Sequence, residues 1–103
     1  MSKYIVTYRL DSKTSTYDKR LTAMKNFLKE SSKDYVEDDT TSTIYCKGEK
    51  LATELKNSNI LNSTDLVIFF RMDDKNQLQQ ILRLEDNKLH SAKTETLKLF
   101  VTK

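Results

Sequence analysis

The sequence predicts an α+β fold, a ferredoxin-like βαββαβ sandwich with a C-terminal helix and strand appendix. Three observations carry this prediction: apolar segments of strand character near 4–10, 34–46 and 66–72, a helical stripe at 17–28, and the order in which they occur. One hundred and three residues suit one domain with one modest core. That domain divides into a core over 3–73 and an extension over 74–103.

The first element is "YIVTYRLD", residues 4–11, in which strict alternation sets Tyr4, Val6, Tyr8 and Leu10 on one face. The first set is the more apolar, so Arg9 and Asp11 fall on or beside the face that the helices leave open. After the polar loop "DSKTST", "STYD" (Ser15 to Asp18) has the form of a capping box. Tyr17, Leu21, Met24 and Leu28 then follow at spacings of four, three and four, with Phe27 widening the stripe, which makes an amphipathic helix. Residues 34–46 read as a hairpin with a turn at Asp38 and Asp39, ending in the β-branched "TTSTIYC". A second helix over about 49–58 points Leu51, Ala52 and Leu55 inward. "STDLVIFFRM" is the most apolar stretch and predicts a well-buried strand. Beyond it, Asp74 and Gln77 form a possible capping box ahead of Leu78, Ile81 and Leu82, which predicts a short third helix. "TLKLFV" alternates Leu97, Leu99 and Val101 as a closing strand. A free apolar strand must be paired, so the expected assembly is a two-fold homodimer to which the tail or the open sheet face contributes.

Composition narrows the function classes. A hydrophobic fraction of 37% with 32% charged residues describes a soluble chain, and the absence of a long apolar run or a charged-then-apolar leader predicts a cytoplasmic protein without membrane partners. Proline is absent and Gly48 is the single glycine, which removes the glycine-rich loops that cradle phosphates in nucleotide enzymes. Cys46 stands alone, excluding an intramolecular disulfide and reading as a small core filler. No cofactor or metal site is expected. Charge is uneven: residues 1–33 hold eight cations against three acids, a net of +5, while the remainder is −2. This is compatible with a basic face that meets phosphates.

The element order, with "YIVTYRL", the helix near 17–30, "STIY" in the hairpin and "DLVIFFRM", resembles the small ferredoxin-like proteins of the CRISPR-associated endoribonuclease two group, to which SinR-like and VapD-like proteins also belong. The resemblance covers roughly residues 3–73 and implies a homodimer in bacterial or mobile-element defence biology. In that group the first strand ends in Tyr-Asp-Leu or Tyr-Asp-Ile, and the aspartate is the proposed magnesium ligand of the members that cleave nucleic acid. Here the tripeptide is Tyr8-Arg9-Leu10. A guanidinium offers only donors and a repelling charge where Mg²⁺ needs oxygen, so the expected activity is non-catalytic binding of nucleic acid or of a protein partner.

Arg9, Lys13, Lys19 and Arg20 are the candidate nucleic-acid contacts, clustered in the first strand, the following loop and the first helical turn. The plain alternative for Arg9 is that it pairs with a carboxylate and solubilises an uncovered strand. Two rival functions remain: a magnesium-dependent endonuclease using Asp11, and a small inhibitor that binds another protein machine. Asp73 and Asp74 read as strand end and helix cap, His90 as a solvated loop residue. Tyr8, Tyr17, Tyr35 and Tyr45 form a base-stacking platform only if they share the open sheet.

Overall fold

The computed structural model of the chain describes residues 1–38 and 40–93. Its elements run β1 (Ser2–Arg9), α1 (Tyr17–Ser31), β2 (Lys33–Asp38), β3 (Thr43–Gly48), α2 (Leu51–Asn57), β4 (Leu66–Met72), β5 (Leu78–Glu85) and β6 (Lys88–Lys93). They build one sheet in the order β2-β3-β1-β4-β5-β6, and every neighbouring pair is antiparallel. The described residues are therefore α+β, with two helices and a six-stranded antiparallel sheet.

Alternation in β1 works as the sequence indicates. Tyr4, Val6 and Leu10 are buried together with Met24 and Leu28 of α1 and with Leu51, Ala52 and Leu55 of α2, so both helices cover one face of the sheet. Phe69 from β4 lies fully buried at the centre, its ring edge-on to Tyr4 at 5.9 Å. Burial of a side chain this size contributes about 1.5–3 kcal/mol. Cys46 is a buried part of this core, and burial pushes its thiol up from the ordinary value. Gly48 ends β3 close against the Leu51 side chain of α2. A Cβ there would stand 2.9 Å from Leu51 Cδ2, closer than packed carbons tolerate.

The third helix does not form; residues 78–85 are the strand β5. The segment carries apolar residues at both helical and alternate spacings, and a tight turn decides between them. Asp73 Oδ1 accepts the N–H groups of Lys75 and Gln77 at 2.9 and 2.8 Å, and Asn76 adopts φ 61°. Asp73, rather than Asp74, is thus the residue that organises the turn. The reversal lays Phe70 beside Ile81 and Phe69 beside Leu82, and pairs backbone groups on β4 that a helix would have left open. A two-residue turn at Asp86 and Asn87, both at positive φ (54° and 57°), then folds β6 back onto β5. His90 consequently lies on a strand, opposite Arg83. The strand expected at "TLKLFV" lies outside the described residues.

Candidate functional site

The loop from β1 to α1 takes its shape from a residue that the sequence assigns to the surface. Arg20 occupies the helical stripe three residues after Tyr17 and four before Met24, and it is only 5% exposed. Its Nε and Nη2 donate to Oδ2 and Oδ1 of Asp65 at 2.9 and 3.0 Å. Nη1 donates to the hydroxyls of Thr14 and Thr16, both at 2.6 Å, and Nη2 also reaches the Asp11 carbonyl at 3.0 Å. Asp65 in turn accepts the backbone N–H groups of Asp11 and Asn62, each at 2.8 Å.

A buried pair of charges persists when its geometry is bidentate and its remaining polar sites are satisfied, and both conditions hold here. Burial opposes ionisation of Asp65, but the Arg20 guanidinium and the two N–H groups outweigh it and hold the carboxyl below the usual carboxylate range. The Asp65 hydrogen bonds likewise hold the Arg20 guanidinium protonated beyond its ordinary value. Arg20 is therefore a clasp between the 11–16 and 62–65 loops and is withdrawn from the expected phosphate contacts. The Ser15–Asp18 capping box is absent for the same reason: Thr16 is the N-cap, and its hydroxyl serves Arg20 rather than the helix N–H groups.

The other expected cations are exposed within this loop and on the elements at its two ends. Arg9 is the last residue of β1 and is exposed on the sheet face away from the helices. Arg9 and Lys13 line one open cleft of about 420 Å³ together with Leu10, Asp11, Ser12 and Thr64. Lys19 is exposed on the first turn of α1 and does not line that cleft. Among the described residues no ion pair involves Arg9, Lys13 or Lys19.

Asp11, the carboxylate of the nuclease alternative, lies in the same cleft. Its Oδ1 accepts the Lys13 N–H at 3.0 Å, and that bond with one from the Thr64 side chain holds its carboxyl below the usual range. A lone carboxylate with its oxygens in turn hydrogen bonds, beside two cations, does not fit a divalent metal ion. Among the described residues no three of His, Cys, Asp and Glu gather in one place.

The tyrosines do not form a common platform. Tyr8, Tyr17 and Tyr35 pack against the helix-side core, and Tyr45 alone of the four faces out from the open sheet, 45% exposed. What sequence reasoning missed is the rest of that face. Strand register places Val36, Tyr45, Ile5, Phe70, Ile81 and Ala92 side by side, one from each strand, in an apolar row spanning the sheet. A signal was present in "LVIFF": a run without polar alternation makes both faces of its strand apolar.

No protein family, curated protein or solved structure matches the chain in comparisons of sequence and fold.

Proposed function

We propose that the protein is a non-catalytic, ferredoxin-like homodimer that binds nucleic acid, with a backbone phosphate seated between Arg9 and Lys13 and with Lys19 as a flanking contact. The observation that carries this reading is the convergence of Arg9 and Lys13 on one open cleft whose loop is fixed from beneath by Arg20 and Asp65. A preorganised pair of cations engages a phosphate without first ordering the loop. The ferredoxin-like assignment is supported by the arrangement of the first four strands, β2-β3-β1-β4, with α1 and α2 as the crossovers on one face. The β5–β6 hairpin extends that four-stranded unit to six.

Phosphate contacts release counterions, so affinity must fall steeply with salt, and each lost contact must flatten that dependence. Labelled single- and double-stranded oligonucleotides titrated at two salt concentrations test this. Arg9→Ala/Lys13→Ala is expected to reduce the salt slope by about 2, and Lys19→Ala by up to about 1. Binding no tighter than about 10⁻⁴–10⁻⁶ M at physiological salt, unaffected by the double substitution, would transfer the reading to the small protein-binding inhibitor.

A further inference from the structure

One end of the open sheet face carries a pocket that the cation cleft does not use. Lys3 and Ile5 of β1, Tyr45 and Lys47 of β3, Met72 of β4 and Asn76 of the following turn line a cavity of about 270 Å³. Small-molecule sites usually span about 300–1,000 Å³, so this one suits a ligand built on a single ring. Arg9 stands about 20 Å away along the same strand. The pocket is thus separate from the Arg9–Lys13 cleft.

Strand register gives the pocket its charge. Lys3 is opposite Lys47, and Lys47 is opposite Lys33 of β2, so three lysines stand abreast on adjacent strands. Like charges directly opposite one another destabilise a sheet. Among the described residues only one carboxylate pairs with any of the three, Asp34, which holds Lys47 Nζ at 3.1 Å. The two side chains of that pair are 43% and 69% exposed, so it contributes little. Lys3 Nζ donates to the neutral Asn76 Oδ1 at 3.3 Å, which leaves its charge unbalanced. In the next row Ile5 and Tyr45 are cross-strand partners, and Met72, opposite Lys3, completes an apolar floor. An apolar seat is thereby joined to two ammonium groups in excess of the local acid.

We propose that this pocket binds a small aromatic carboxylate, with its ring on Ile5, Tyr45 and Met72 and its carboxylate between the ammonium groups of Lys3 and Lys47. Two carboxylate oxygens match two cationic donors side by side, and charge-assisted hydrogen bonds are the stronger kind. An aromatic body is favoured over an alkyl one because Tyr45 offers a ring to stack on and Met72 a thioether, and both add to simple burial. Asn76, whose Oδ1 is taken by Lys3, keeps its side-chain N–H groups as further donors at the rim. The bound anion relieves the repulsion within the lysine row. Neither Arg9 nor Lys13 takes part.

Calorimetric titration of the full chain with cinnamate is expected to show saturable binding that weakens as salt rises. Cinnamamide has the same shape without the charge and should bind about tenfold more weakly or worse. Lys3→Met and Lys47→Met keep the apolar stems, so each should lower cinnamate affinity by about tenfold with unchanged far-UV circular dichroism. Asp34→Asn retains a residue that tolerates the φ of 55° and frees Lys47. It should bind cinnamate about two- to fivefold more tightly, the worth of an exposed ion pair. Absence of saturable binding, equal affinity for cinnamate and cinnamamide, indifference to both lysine substitutions, or weaker binding by Asp34→Asn overturns the proposal. Octanoate binding as tightly as cinnamate overturns the choice of an aromatic body. Arg9→Ala/Lys13→Ala should bind cinnamate as the wild type does, so failure here and failure of the nucleic-acid reading are told apart. Displacement of cinnamate from that double variant by an oligonucleotide would assign the pocket to nucleic acid instead and overturn the proposal.

Discussion

Arg20 and Asp65 show how far the meaning of one residue depends on its neighbours in space. By type, Arg20 belongs to the basic N-terminal third. By phase it belongs to the buried stripe of α1, and burial decides its role, since a guanidinium enclosed at 5% exposure survives only with its donors satisfied. Arg20→Ala leaves Asp65 buried without its counter-charge and is expected to destabilise the fold by about 3–5 kcal/mol in chemical denaturation. The pH dependence follows from Asp65. Its folded-state carboxyl is held below the ordinary value near 3.8, so its contribution is complete above that value and disappears as pH falls through the lower, folded-state value. Asp65→Asn should therefore remove part of the acid sensitivity that the wild type shows below about pH 4, which denaturant titrations across that window would detect.

Among the elements, α1, β1 and β4 were legible because one strong signal identified each: a helical stripe, an alternation and a long apolar run. Residues 78–85 were not, since Leu78, Ile81, Leu82 and Leu84 satisfy both periodicities, and the deciding information sits upstream in the Asp73 turn. Of the candidate site, Arg9 and Lys13 were identifiable from position and charge. Arg20 was misassigned because its partner is 45 positions away. Element boundaries also show where the sequence departs from its best local choice. Lys50 precedes α2 in the left-handed region at φ 56°, without a side-chain capping bond. A Cβ is disfavoured there by about 1–2 kcal/mol, so Lys50→Gly should stabilise the protein by up to about 1 kcal/mol after the entropy of the freer unfolded chain is subtracted. A thermal melt would register this as a rise of a few degrees, and a fall would argue that the Lys50 side chain contributes elsewhere.

At the scale of the whole molecule, both helices lie on one side of the sheet, and the other side carries one apolar row between rows that hold Lys3, Lys47, Asp38 and Arg83. The α+β class and the uncovered face were readable from element order, whereas the apolar row across that face was not, because it arises only when register brings one residue from each of six strands into line. For the proposed homodimer, mass action requires the melting temperature of the wild type to climb with protein concentration; Tyr45→Glu, at an exposed position on the open face, tests whether that face makes the contact by abolishing the climb. Scanning calorimetry across a hundredfold dilution series would show it, and parallel behaviour of the two proteins would place the association elsewhere.

The Arg20–Asp65 clasp also bears on time. It closes a segment of 45 residues, and loop-closure entropy must be met before such a contact gives anything back. We expect the clasp to form late on the way to the native state, with its loss raising the unfolding rate more than it lowers the folding rate. In Arg20→Ala the unfolding limb of the chevron, not the refolding limb, is where its loss should be felt. The loop that carries Lys13, at the end of the strand that carries Arg9, is thus held by a bond between residues 45 positions apart.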